Sequence, residues 1–195
     1  MTDEHAPNKS LIWWGRSDTG YSRNAVVRSA FKQLGWSIHD YRPGPLDALG
    51  LKSPRLTPSA KLVWVPCFRQ RDVASAARFA RKHDLPLIFD PLISAYDKQV
   101  FERKKFPEAS LRARRLLAWE KARFAMADMV VSDTAAHADY FQQAFALTED
   151  RTAVVPVGAD EALFTHQPAQ ARRDGRLQVL FYGSFIDLQG PEMIA

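Results

Sequence analysis

The chain has 195 residues, a formal net charge of +5 and a single cysteine. This length accommodates one globular core and part of a second, and 46% hydrophobic with 25% charged residues is typical of ordinary globular proteins. One cysteine excludes an internal disulfide, and no apolar run approaches the roughly 18 residues of a membrane span. We therefore expect a cytoplasmic protein without a signal peptide, and the excess positive charge favours an anionic partner.

Short β-rich runs alternate with longer helical patterns along the chain, which predicts an α/β fold with a Rossmann-like, doubly wound and mostly parallel sheet. The first strand is predicted at residues 11–14, and the next helix at residues 22–34 with Ser22 as its N-cap and Gly35 as its C-cap. Its apolar face, which we expect to pack on the sheet, consists of Val26, Val27, Ala30, Phe31 and Leu34. Further strands are predicted at residues 36–41, 61–66, 85–90 and 128–134, and a sixth with its exit turn at residues 151–164.

The remaining helices are predicted at residues 71–84, 94–127 and 135–145, the second of them basic and interrupted at Pro107. Residues 1–165 then form one domain, and the polar residues 166–176 form a linker. Residues 177–195 contain a new strand and the beginning of a helix, so we expect them to open a second domain that continues beyond this sequence.

The ends of the predicted strands are the places to look for a ligand, because open parallel sheets bind ligands at the carboxyl ends of their strands. The segments concerned should open onto one crevice, and they are residues 15–24, 67–71, 90–97, 132–134 and 157–160.

The first of these segments fits the phosphate-loop spacing G-x-x-x-x-G-K-[ST] at every position but one, because Tyr21 stands where the lysine belongs. Gly15 and Gly20 allow a close backbone, and the helix that begins near Ser22 offers free N–H groups to an anion. Without the lysine charge we expect no nucleotide hydrolysis. A tight turn that binds no ligand is an open alternative.

Other catalytic templates are absent from the sequence, namely G-x-G-x-x-G at the first turn, G-x-S-x-G, C-x-x-C, H-E-x-x-H and D-x-D. We expect no bound metal and no cofactor, and we expect His137 to be a surface or packing residue. Cys67, at the end of an apolar strand, is expected to be a buried small side chain rather than a nucleophile.

The segment at residues 98–123 carries nine Lys and Arg residues against three Glu, with apolar side chains between them. Such a pattern fits a solvated helix face over a core stripe, or a helix that lies on an anionic membrane surface at the inner face of the membrane. Nucleic acid is not expected as a partner, because no recognition motif accompanies the charge.

Three stretches, at residues 127–141, 151–164 and 177–194, resemble retaining GT-B glycosyltransferases of the family 4 type. The first two resemble the last third of the N-terminal domain, with its "VxxxS" and "VVPNGVD…F" patterns. The third resembles the opening of the C-terminal domain. The resemblance implies an N-terminal half that binds a glycan or lipid-linked acceptor, and a C-terminal half that binds a nucleotide-sugar donor.

The resemblance also implies which residues line the cleft between the halves. Asp90 stands where a histidine often lies by the transferred sugar, and is the candidate catalytic residue. Gly183 and Ser184 mark the donor side, although the arginine and lysine that commonly contact the diphosphate are replaced by Ser184 and Gln189. The substrate-binding candidates are Gly15, Gly20, Tyr21, Arg23, Asn24, Ser132 and Asp133.

The E-x7-E element of these enzymes lies beyond these residues, so we expect the 195-residue chain to transfer no sugar by itself. The alternative is a non-catalytic Rossmann-like or flavodoxin-like module that binds a small anion. The apolar strand predicted at residues 177–182 is also expected to pair with another edge, which predicts a homodimer of the chain.

Overall fold

The computed structural model describes residues 9–52, 54–159, 163–165 and 190–193. Six parallel strands form one sheet in the order β2-β1-β3-β4-β5-β6, which confirms the Rossmann-like α/β class. The strands are β1 (Lys9–Trp14), β2 (Trp36–Tyr41), β3 (Ala60–Val65), β4 (Leu87–Phe89), β5 (Met129–Ser132) and β6 (Thr152–Val154).

Helices connect the strands on both faces of the sheet. They are α1 (Ser22–Gln33), α2 (Pro45–Ala48), α3 (Val73–Lys82), α4 (Ala95–Asp97), α5 (Leu111–Phe124) and α6 (Ala135–Phe145). The predicted basic helical segment is thus divided into α4, a π-helical turn at Lys98–Glu102, a connecting loop and α5. The loop contains Pro107, as the interruption predicted.

Two apolar cores cover the two faces of the sheet. Helices α3, α5 and α6 pack on one face, where Val73, Ala76, Ala77 and Ala80 of α3 are buried as the sequence predicted. Helix α1 packs on the other face against Trp13 and Trp64. The carboxyl ends of β1, β3, β4, β5 and β6 meet at one edge, which we call the crevice edge.

The apolar face of α1 is less buried than predicted. Val27 is buried and Phe31 packs partly against the core, whereas Ala30 is exposed and Leu34 is 74% exposed. These residues line an apolar cavity of about 230 Å³ together with the chain that leaves β6. The periodicity indicated the correct face, but it could not show that this part of the sheet surface is uncovered.

The caps of α1 also differ from the prediction. The N-cap is Tyr21 rather than Ser22, and its side chain makes no capping hydrogen bond. The C-cap is Leu34, and Gly35 follows in the left-handed region at φ +77°, where glycine is favoured after a helix.

Several predictions lie outside the described residues, namely the linker at 166–176, the strand at 177–182 and the donor-side residues Gly183 and Ser184. Among the described residues, no helix combines the length and apolar character that crossing a bilayer requires.

Candidate functional site

A buried ion pair lies at the centre of the crevice edge. Arg23, in the first turn of α1, donates from Nε to both carboxylate oxygens of Asp90, at 3.0 and 2.8 Å. The two residues are only 2% and 1% exposed. Arg23 also donates from Nη1 to the Val155 carbonyl at 2.7 Å. One side chain therefore joins the start of α1 to the ends of β4 and β6.

The charges of this pair offset each other. Burial raises the pKa of Asp90, while the Arg23 guanidinium and the Leu92 amide oppose that rise. The Nη2 of Arg23 is buried and has no hydrogen-bond partner among the described residues. Arg23 is thus not an exposed anion contact in this structure, and Asp90 is not an exposed carboxylate.

Asn24, next along α1, fixes the helix to its two neighbouring loops. Its Nδ2 donates to the Asp18 carbonyl at 2.7 Å, and its Oδ1 accepts from the Cys67 thiol at 3.1 Å. Burial raises the pKa of Cys67 to about 12, so almost no thiolate forms at neutral pH. The expectation that Cys67 is buried is confirmed, and its low reactivity stays a prediction.

The two glycines of the phosphate-loop spacing are not equivalent. Gly15 has φ +145°, and a Cβ there would lie 3.1 Å from the Arg69 Cγ and 3.2 Å from the Asp72 Oδ2. Gly20 has no such conformation, and its amide donates to the Asp18 Oδ1 at 2.8 Å. Of the two glycines, only Gly15 therefore adopts a backbone conformation that favours glycine. Gly20 does not, so the loop lacks the second such glycine that a phosphate-binding turn would use.

The N-terminus of α1 lies at the crevice edge and is uncapped. No side chain caps it and its first turn contains no acidic residue, whereas Ser110 and Thr134 cap α5 and α6. Tyr21 and Ser22 are exposed. The first amides of a helix lack intrahelical acceptors and carry the positive end of the helix dipole, so this end of α1 can receive an anion.

Two residues without glycine's freedom adopt left-handed backbone conformations beside the pair, namely Phe68 at φ +62° and Leu92 at φ +61°. They follow the adjacent strands β3 and β4, and neither ends a helix. The Phe68 ring meets Tyr21 edge to face with centroids 5.3 Å apart. Left-handed conformations of such residues cluster at functional sites. Their presence here therefore favours a functional site at this part of the crevice edge.

The end of β5 places its two candidates differently. Ser132 is buried and its hydroxyl donates to the Ala153 carbonyl at 3.2 Å, a contact between strands. Asp133 is partly exposed and pairs through Oδ1 with the Nδ1 of His137. The Asp133 charge also raises the pKa of Asp90, so the two carboxylates lie within electrostatic range.

The described candidates thus divide into two groups. Arg23, Asn24, Asp90 and Ser132 are buried and hold the crevice edge together, and Gly15 shapes the turn beneath it. The exposed or partly exposed group is Gly20, Tyr21 and Asp133. Sequence reasoning missed Phe68 as an individual residue, although its segment followed a buried strand. No group of three or more metal-ligating side chains occurs among the described residues.

Comparisons with known proteins find similarity among solved structures and nowhere else. No protein-family model matches the chain, and no curated protein matches it. Among solved structures, HepE of Anabaena in complex with UDP is 15% identical with a TM-score of 0.48. HepE in complex with UDP and glucose is 14% identical with a TM-score of 0.46. Each match covers 82% of this chain and 47% of HepE, so the chain spans about half the length of these structures.

Proposed function

We propose that this chain is the acceptor-side half of a retaining GT-B glycosyltransferase that uses a nucleotide-sugar donor. Two independent lines support the proposal. The sequence around β5, α6 and the exit of β6 resembles that family, and the parallel sheet gathers the candidate residues at its crevice edge.

The observation that carries the proposal is the open N-terminus of α1. It has no capping side chain and no acid in its first turn, and Arg23 from that same turn is already neutralised by Asp90. The free amides and the helix dipole therefore supply the attraction for a phosphate. A lysine at position 21 is unnecessary if a second domain holds most of the donor.

The residues then have distinct roles. The amides of the first turn of α1 receive a phosphate oxygen of the donor, and the hydroxyl of Tyr21 is protonated at neutral pH, as a tyrosine ordinarily is. Asp133 is 18% exposed and pairs with His137 through Oδ1, so its Oδ2 is the oxygen that can accept a hydrogen bond from a sugar hydroxyl. Asp90 positions Arg23, and with it the helix, so its contribution to catalysis is through geometry.

We further propose that residues 166–176 link this half to a donor-binding half that begins at residues 177–195, with Gly183 and Ser184 at the donor side. Transfer requires both halves around the two substrates. The 195-residue chain is therefore expected to transfer no sugar by itself. We also propose that substrate binding needs no metal and no cofactor. A glycosyl-transfer rate above background with this chain alone contradicts that expectation.

Calorimetric titration of the 195-residue chain with UDP-glucose and GDP-mannose tests the binding site. Ser22→Asp places a carboxylate among the free amides of α1, so it should weaken binding about tenfold or more while stabilising the helix by about 0.3–1 kcal/mol. Ser29→Asp adds the same charge in the middle of the helix and should bind as the wild type does. Equal binding by both variants contradicts the proposal.

The second candidate is a non-catalytic module that binds a small anion. The strand order β2-β1-β3-β4-β5 favours it, because flavodoxin-like folds share that order and bind at the point between β1 and β3. Inorganic phosphate then binds as tightly as a nucleotide sugar. Under the first proposal it binds more weakly, because it lacks the sugar and the nucleoside.

Two further proposals concern location and assembly. A cytoplasmic chain docks on the anionic inner face of a membrane through α5, the loop before it and the π-helical turn at Lys98–Glu102. Phe101 of that turn is 47% exposed and Leu111 of α5 is 65% exposed, both among basic residues. Failure to co-sediment with phosphatidylglycerol vesicles at low salt removes this proposal.

The chain also forms a homodimer. A monomeric mass measured by light scattering at high protein concentration contradicts this second proposal.

A further inference from the structure

A second cavity, of about 720 Å³, extends from the crevice edge toward α5. It is bounded by the loop after β3, by the segment at 95–99 and by one side of α5, and we call it the aromatic–arginine cleft. Its volume lies within the roughly 300–1,000 Å³ range of small-molecule sites. The walls that matter here are Phe68, Phe106 and Trp119, with Arg69, Arg71 and Arg123.

The charge of the cleft is one-sided. Its lining contains three arginines and no Asp or Glu. Arg69 is neutralised by Asp72, with which its Nε makes a 2.6 Å bond. Arg71 and Arg123 have no carboxylate partner among the described residues. The cleft therefore presents two cations that an anionic ligand can neutralise.

One of these cations has a donor in need of an acceptor. The Nε of Arg123 is buried and makes no hydrogen bond among the described residues, which is uncommon for a native polar group. Glu120, three residues earlier on α5, accepts from the Ser94 hydroxyl and from the amides of Ala95 and Tyr96, and it makes no ion pair with Arg123 among the described residues. The terminal nitrogens of Arg123 are not among the buried atoms and donate no hydrogen bond within the described residues, so they are the donors that a ligand oxygen in the cleft can reach.

Two aromatic rings of the cleft lining, those of Trp119 and Phe68, each lie beside a cationic side chain. The Arg123 guanidinium lies 4.7 Å from the centroid of the Trp119 ring, and the Lys98 ammonium lies 5.5 Å from that of Phe68. An aromatic face packs against the apolar face of a sugar ring, while the cations receive a phosphate. Neither a neutral sugar nor a bare phosphate uses both parts of this lining.

The cleft is continuous with the candidate site. Phe68 lines the cleft and also contacts Tyr21 at the N-cap of α1. Arg69, another lining residue, packs over Gly15. A ligand in the aromatic–arginine cleft thus lies next to the end of α1, where the proposed donor phosphate binds.

We propose that the aromatic–arginine cleft binds a sugar phosphate, and that this group is the acceptor. The binding claim rests on the cleft itself, and the acceptor role rests on the proposed function. The same headgroup chemistry can come from a soluble sugar phosphate or from a sugar phosphate carried on a lipid, and the experiment separates these sources.

The experiment follows the indole N–H resonances of the ¹⁵N-labelled chain by NMR, with Trp119 assigned through Trp119→Phe. Glucose 1-phosphate should shift the Trp119 resonance, and glucose or inorganic phosphate should bind at least about tenfold more weakly. Arg123→Gln and Arg71→Gln should each raise the dissociation constant about tenfold. Lys121→Gln, which removes one charge from α5 outside the cleft lining, is the matched control and should leave it unchanged.

A second arm uses phosphatidylcholine vesicles with and without glucosyl phosphoryl polyprenol. Co-sedimentation that requires the glycolipid and is lost in both arginine variants assigns the acceptor to the lipid-linked source, and binding of glucose 1-phosphate alone assigns it to the soluble source. Equal affinity for inorganic phosphate and glucose 1-phosphate contradicts the proposal. So does the absence of binding in both arms.

The amides of residues 22–24 are recorded in the same spectra, so the two proposals fail separately. If UDP-glucose shifts these amides while neither sugar-phosphate probe binds, the proposed function stands and the cleft proposal is wrong. If the sugar phosphate shifts Trp119 while UDP-glucose leaves the amides unchanged, the cleft stands as a sugar-phosphate site and the proposed donor site is wrong.

Discussion

Two buried carboxylates in this molecule are stabilised in different ways. Asp90 at the crevice edge has a counter-charge, the Arg23 guanidinium, 2.8 Å away. Glu120 on α5 is fully buried and makes no ion pair within the described part of the chain, but it accepts three hydrogen bonds at 2.6–2.8 Å from Ser94, Ala95 and Tyr96. Both groups fix the segment that follows β4, one at its start and the other a few residues later.

The difference predicts which of the two is more sensitive to a single change. Removing Arg23 leaves a buried negative charge without compensation, which is the costly way to break an ion pair. The partners of Glu120 are neutral donors, so replacing any one of them removes a single hydrogen bond and no counter-charge. Burial raises the pKa of both carboxyl groups, but only at Asp90 does a cation oppose the rise.

The largest effect is expected for Arg23→Gln, which should lower the free energy of unfolding at pH 7 by about 3–5 kcal/mol. Without its cation, Asp90 has a folded-state pKa further above that of the unfolded chain. Stability from this group is then present at low pH and lost as the pH rises through the folded-state pKa. Urea denaturation should therefore show part of the loss recovered between pH 7 and pH 5.

The matched control for this change is Arg28→Gln. Arg28 pairs with Asp40, which is 48% exposed, and its guanidinium lies 4.9 Å from the centroid of the Trp13 ring, so its removal should cost about 1–2 kcal/mol. A loss as small as this for Arg23→Gln, or a loss independent of pH, contradicts the role assigned to the buried pair.

A smaller effect is expected for Glu120→Gln, which keeps the shape but turns an acceptor of two amides into a group with its own N–H donors. We expect a loss of about 2 kcal/mol at pH 5. Because burial raises the folded-state pKa of Glu120, the wild type loses stability as the pH rises through that pKa. The variant lacks this loss, so the difference between the two proteins should shrink toward pH 7.

The smallest effect is expected in the reactivity of Cys67, which is covered by Asn24 from the same turn of α1 as Arg23. Labelling of the native thiol with iodoacetamide should be slow, since a pKa of about 12 leaves little thiolate. Arg23→Gln should accelerate labelling about tenfold by local opening, and Glu120→Gln should change it less. If Cys67 is labelled equally fast in both variants, the two buried carboxylates do not act on separate parts of the structure, and this part of the account is wrong.

Much of the fold was predictable because its signals are local. Helix α6 was predicted with the bounds it has, since Thr134 supplies a side-chain cap and the chain turns left-handed at Ala146. The α3 stripe was correct because small apolar residues recur at helical spacing. The short helix α2 lies between the strands predicted at residues 36–41 and 61–66, where no helix was predicted.

The candidate site was predictable by segment but not by contact. The rule that strand ends share one edge brought residues 23 and 90 into the same crevice, yet their pairing depends on how far α1 leans over β4, across 67 residues of sequence. Glu120 was overlooked because, among so many basic neighbours, it resembled a surface acid. Its burial depends on the loop at residues 94–96 folding back onto α5.

The central claim is that the uncapped N-terminus of α1 binds the phosphates of a nucleotide sugar. It is tested most directly by adding UDP-glucose to the ¹⁵N-labelled 195-residue chain and mapping the backbone amide shifts. The account predicts that the largest shifts fall on Ser22, Arg23 and Asn24, and that the first turn of α6, where the Thr134 side chain already accepts from the His137 amide, stays unchanged. Largest shifts at α6 or elsewhere, with residues 22–24 unaffected, would contradict it.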